Sequence, residues 1–151
     1  MDLARRRADA TLRLMSLLKR LARPHPLATD VGLLVFRLWF GLTLAISHGY
    51  GKLMNLGGFS DKVAQLGLPM PSVLGPAAGL SEFLGGLLLA LGLATRLSAA
   101  SVLITMCVAA FVVHGADPFG KKELALCYAA AALGLMLVGP GRFSADAKLF
   151  R

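Results

Sequence analysis

The chain has 151 residues, 56% of them hydrophobic and only 16% charged, with a formal charge of +8. A soluble domain of this length cannot bury that much apolar surface, whereas lipid solvates the excess, so the composition argues for a membrane protein. The charge does not mark a nucleic-acid partner: seven Lys/Arg lie in residues 1–30, the rest are spread between apolar segments, and no aromatic residues are interleaved for stacking on bases.

Residues 1–29 form a basic N-terminal segment and residues 30–151 the domain that follows. Leu14, Leu17, Leu18 and Leu21 recur at helical spacing among Arg13, Lys19, Arg20 and Arg23. This pattern predicts an amphipathic helix lying on the inner membrane surface, with a disordered basic arm as the alternative. Lys19 and Arg20 break the apolar run and no small-x-small site follows, which argues against a signal peptide. Pro24-His25-Pro26 ends the segment, and Asp30 is placed to cap the next helix.

Four apolar spans follow, at about 31–50, 73–93, 97–114 and 122–139, each near the length needed to cross about 30 Å of hydrocarbon. The predicted fold is all-α: an integral membrane four-helix bundle preceded by the basic amphipathic helix. The long connection from Gly51 to Ser72 holds FSDKVAQLG, a short surface helix capped by Ser60 or Asp61 and closed by Gly67. Gly92 to Ser98 and His114 to Lys122 make tight turns. With the N-terminus inside, the inner segments carry eleven Lys/Arg and the outer ones four, so both termini are expected in the cytoplasm. Small residues, including the Gly75/Gly79 pair and Gly134, predict close helix packing.

The first span, VGLLVFRLWFGLTLAISHGYGK from Val31 to Lys52, carries residues that a bilayer resists. At about 100° per residue, Arg37 and His48 fall within about 20° of one another, with Gly41 and Ala45 between them and Lys52 one turn on. Arg37 lies about 9 Å from the inner end of its span and Glu82 about 13 Å from the outer end of the second, so the two are expected to form an intramembrane ion pair. Such a bridge either fixes register or serves function. His48, Lys52, His114 and Glu123 converge on the outer side as a polar pocket for a quinone headgroup or small polar substrate, or for passing protons. The bland alternative is that these residues anchor helix ends at the headgroups. No metal is assigned, because the ligand spacing of a zinc site is missing. Cys107 and Cys127 both lie in apolar segments and read as a pair of buried thiols.

These residues resemble a known family. The run R-x10-HGYGKL from Arg37 to Leu53 is similar to the first-span signature of DoxX-family membrane proteins. So are LGLPMP in the loop, Glu82-x-x-Gly85-Gly86, GLATRLSA at the inner turn, His114 with Glu123, and GPGRFSAD from Gly139. The resemblance covers about residues 31–148 and leaves the basic extension outside. It implies four spans with both ends inside, and an accessory subunit of a quinone-linked or thiol/sulfur redox system, an oxidoreductase complex whose other membrane or redox proteins are its partners. In that reading His48 or His114 accepts a proton, Lys52 orients an oxyanion or quinone oxygen, and Arg37–Glu82 lies beneath. The two cysteines differ in depth by several ångströms, which argues against direct disulfide chemistry. The competing reading is a non-enzymatic membrane scaffold, or a small-solute permeation unit that works as a homo-oligomer.

Overall fold

A computed structural model describes residues 12–19 and 25–150, and their regular secondary structure is helical throughout. Of the basic N-terminal segment, 12–19 form helix α1, exposed along its length; the remainder of the expected surface helix, with Arg20, Leu21 and Arg23, lies outside the described residues.

Helix α2 spans Pro26–Thr43. It begins earlier than the sequence suggests because Pro26 suits the first helical position: its φ is preset and its missing N–H needs no partner. Asp30 therefore sits inside α2 and caps nothing there; its Oδ1 instead accepts the Arg142 N–H at 2.9 Å. Residues Leu44–Gly49 widen into a π-helical turn in which the Tyr50 N–H reaches back five residues to the Ala45 carbonyl, and α3 (Tyr50–Met54) continues the rod. Helix α4 (Leu56–Gln65) is the expected surface helix, but its cap is Asn55, whose side chain accepts the Gly58 N–H at 3.1 Å; neither Ser60 nor Asp61 serves. Gly67, at φ +71°, lies just past its end as expected.

Helix α5 spans Pro71–Leu91 and ends at Gly92, φ +67°, where the N–H groups of Gly92 and Leu93 bond to the Leu89 and Leu88 carbonyls in a Schellman arrangement. Only Gly92, Leu93 and Ala94 separate it from α6 (Thr95–Val108), which is extended by a second π-helical turn at Ala109–Val113. Helix α7 spans Phe119–Val138, and the short α8 (Ala145–Leu149) starts at Ser144, whose hydroxyl accepts the Ala147 N–H.

Among the described residues, three rods are long and apolar enough to cross a membrane: Pro26–Met54, Pro71–Leu91 and Thr95–Val113. Helix α7 is 20 residues long and opens with Lys121, Lys122 and Glu123. Helix α5 lies between α2 and α6, α7 packs on α6, and α4 folds back on α5. Phe40, Leu44, Leu89, Val102, Met106 and Leu135 meet in one core contributed by α2, its π turn, α5, α6 and α7. The outward sides are apolar instead of polar: Trp39 is 74% exposed, and Ile104, Phe111 and Leu137 are similarly bare. That inversion suits lipid as solvent.

Small residues set the register of α2 against α5. A Cβ on Gly41 would strike the Gly86 carbonyl, and one on Gly49 the Phe83 backbone. Gly79 faces Lys52 and Leu53, while Gly75 accepts Ser60 of α4, so the Gly75/Gly79 pair receives two different elements. Gly134 meets no neighbour within 4 Å and packs nothing closely, contrary to expectation.

Candidate functional site

The expected Arg37–Glu82 pair does not form. The partner of Glu82 is Lys52, whose Nζ donates to both carboxylate oxygens at 2.5 and 2.6 Å. The reason is register. The first rod runs from Pro26 to Met54, past the expected ends of its span, and the Gly41–Gly86 contact pins it. Gly49 then lies opposite Glu82 and Phe83, Lys52 is one turn beyond, and Arg37 falls level with Gly92. Glu82 is only 2% exposed and the Lys52 side chain 28%. The Lys52 ammonium also lies 5.0 Å from the centre of the Phe59 ring, a cation–π contact supplied by α4. A buried carboxylate is thus held by a cation whose other side is open, with an aromatic ring across it.

The four residues expected to form an outer pocket have separate surroundings. Lys52 belongs to Glu82. His48 leaves the Gly41–Ala45 stripe: those two residues are buried against α5, whereas the His48 ring stands edge-on to Tyr128 of α7, 5.3 Å between centroids. The π turn explains this departure, because it breaks the regular 100° step on which the shared face was reckoned. His114 follows the second π turn, and its Nδ1 lies 2.8 Å from Asp117 Oδ2 within its own loop. That hydrogen bond, followed by Coulombic help from Lys121 and Lys122 against some desolvation, lowers the Asp117 pKa. Glu123 is exposed. Both π turns are followed or carried by a histidine, and such turns are frequent at functional sites.

A second polar centre lies at the opposite end. Arg37 is fully buried; its Nη2 donates to the Phe143 carbonyl at 2.7 Å, while Nε and Nη1 have no hydrogen-bond partner among the described residues. A Cβ on Gly92 would land on this guanidinium and on Ser144. Nearby, Asp146 accepts the N–H groups of Ala94 (2.7 Å) and Thr95 (2.9 Å), and its own N–H donates to the Gly92 carbonyl. Desolvation pushes the Asp146 carboxyl up; the Thr95 N–H and nearby hydroxyl, the Ala94 N–H and the Arg37 charge outweigh it and leave the pKa low. The GLATRLSA and GPGRFSAD stretches therefore form one clasp around Arg37.

Sequence reasoning missed this clasp, and also a hydroxyl cluster between α5 and α6. Ser81 Oγ meets Ser101 Oγ at 3.2 Å and Thr105 Oγ1 at 3.0 Å. The signal was a serine or threonine on each facing helix, visible only once the register is known. Cys107 is half-buried and Cys127 exposed, so the pair of buried thiols is corrected: α7 turns Cys127 outward. Among the described residues no group of three His, Cys, Asp or Glu gathers closely enough to hold a metal.

The family model of DoxX matches residues 32–115. The chain is also 32% identical over 121 residues to the inner membrane protein YqjF of Escherichia coli (strain K12), a match covering 78% of this chain and 91% of that protein. No solved structure matches.

Proposed function

The chain belongs to the DoxX family, and from that premise we propose that it is an inner-membrane accessory subunit of a quinone-linked or thiol/sulfur redox system. It is a multi-pass membrane protein, and in this reading α7 joins the three apolar rods as a fourth span to make a four-helix bundle. The excess of Lys/Arg in the inner segments puts both termini in the cytoplasm and α4 outside. The location of the relative, named as an inner membrane protein, supports the assignment.

The observation that carries the reading is the Lys52–Glu82 pair. A carboxylate 2% exposed inside an apolar helix pair is costly to keep, and ionisable groups at such depth mark binding or proton pathways by default. Lys52 has donor capacity on its open side for a quinone oxygen or sulfur oxyanion, while Glu82 balances the charge and accepts a proton. Phe59 gives a flat ring beside that oxygen, and His48 against Tyr128 supplies an imidazole that can donate or accept a hydrogen bond. Electrons belong to partner redox proteins; this subunit binds the headgroup and handles protons. The test is quinone binding by the purified protein in lipid nanodiscs and quinone reduction with its partner proteins. Lys52→Met and Glu82→Gln are expected to abolish both in protein that remains monodisperse. Unchanged binding in both variants refutes the role of the pair.

A second reading, a non-enzymatic scaffold or oligomeric permeation unit, is favoured by one fact: Lys52 already occupies both Glu82 oxygens. In that case Glu82→Gln lowers thermal stability in detergent and leaves the activity of partner complexes intact.

A further inference from the structure

We propose that the cleft between the start of α6 and the returning C-terminal stretch binds the phosphate of an anionic phospholipid headgroup. The cleft holds about 620 Å³ and is lined by Thr95, Arg96 and Leu97 on one side and by Arg142, Asp146 and Phe150 on the other. It lies far from Lys52–Glu82, at the clasp end of the molecule, and is independent of the redox reading.

Three observations give it the chemistry of a phosphate site. Arg96 and Arg142 are exposed and approach the cleft from two different segments, presenting planar guanidiniums that match phosphate oxygens. Thr95 is 1% exposed, and its Oγ1 lies beside the Asp146 carboxylate without a well-formed hydrogen bond among the described residues, leaving a buried hydroxyl that a ligand oxygen would satisfy. Behind the lining, the buried Arg37 has two donor nitrogens unpartnered. The acids in the lining, Asp30 and Asp146, offset the two exposed arginines; both are engaged with backbone N–H groups of the clasp. Arg37 then leaves the region one positive charge in excess, enough for a phosphodiester.

The rim selects a lipid over free phosphate. Leu97 is 75% exposed and Phe150 80%, and both line the cleft. Beside a bilayer these side chains suit the glycerol and first acyl carbons below a headgroup, and basic pockets between membrane helices take such groups.

The experiment uses the full chain in phosphatidylcholine nanodiscs, with phosphatidylglycerol titrated in and bound lipid counted by native mass spectrometry. A saturable phosphatidylglycerol adduct is expected. Replacing Arg96 and Arg142 together by Gln is expected to weaken it about tenfold, and Thr95→Val to weaken it less. Lys62→Gln, a cation on α4 outside the cleft, should leave it unchanged. Arg96 and Arg142 are exposed, so the double variant should elute as wild type; if it does not, Thr95→Val decides. The proposal is overturned if the variant that folds keeps wild-type affinity, if Lys62→Gln loses as much, or if phosphatidylcholine binds equally well. A separate arm adds inorganic phosphate in a phosphatidylcholine disc. A saturable, arginine-dependent thermal shift that phosphatidylglycerol does not increase overturns the lipid assignment.

Discussion

Replacing Lys52 by Met leaves the Glu82 carboxylate buried with neither oxygen bonded, and the loss of one partner of a buried pair costs about 3 kcal/mol or more. The double change Lys52→Met with Glu82→Leu is expected to recover most of that stability, read as the midpoint of thermal unfolding in detergent, because apolar groups replace the pair at similar volume. Glycines sort by what surrounds them. Gly41→Ala drives a methyl into the Gly86 carbonyl and is expected to loosen α2 from α5, whereas Gly134→Ala enters open space and is tolerated. Asp117 gives a pH-dependent contact with a definite sign. Its folded-state pKa lies below the ordinary carboxylate value, so its support for the His114 loop is complete above that value. The support fades as pH falls through the lowered pKa. Amide exchange across Gly115–Asp117 should therefore accelerate only in the acid range, and Asp117→Asn should remove that dependence.

At the scale of elements, the turn between α5 and α6 is held under strain. Ala94 is left-handed at φ +45°, a region that costs a residue with a Cβ about 1 kcal/mol. The strain is sustained because that backbone aims two N–H groups at Asp146. Ala94→Gly is thus expected to raise stability by up to about 1 kcal/mol. Asp146→Ala should lower it by about 1–2 kcal/mol, as a lost helix cap does, and expose Arg142 and Lys148 to trypsin. None of this was legible from spacing. Asp30 looks like an ordinary helix starter in the sequence, Asp146 stands only as the last residue of GPGRFSAD, and their partners come from distant segments. Glu82 shows the same limit from another side. Its burial followed from its place in an apolar run, but depth counted from span ends was too coarse a ruler to choose between Arg37 and Lys52. The close glycine contacts set that choice.

For the molecule as a whole, composition and apolar run length identified the membrane class, and the runs at 73–93 and 97–114 lie within a few residues of the rods that form, whereas the first rod extends past 31–50 at both ends. The stripe of small residues on the first span also read correctly, since Gly41 and Ala45 face α5. The polar residues beyond it were assigned to one pocket because they share a level along the rods, and level says nothing of direction around a helix. Orientation in the membrane is open to direct measurement. With Cys107 and Cys127 replaced by Ala, a cysteine at Asp61 should react with an impermeant thiol reagent on intact spheroplasts, and one at Lys148 only after lysis. The reverse pattern would turn the whole molecule over.

The π turn at Leu44–Gly49 carries one more consequence, for deletions. A helix absorbs the loss of one residue by sliding everything beyond it through about 100°. Here the wide turn holds a spare residue, so removing Ser47 should let the rod close into an uninterrupted α-helix with a normal hydrogen-bond ladder. The rod would survive and gain regularity, and the residues beyond the turn, Lys52 among them, would keep their direction around the axis; only the turn itself, with His48 against Tyr128, would be re-aimed. A shortened chain that folds as well as the original and keeps its buried ion pair, yet has lost the His48–Tyr128 contact, would show that the spare residue is kept to aim His48.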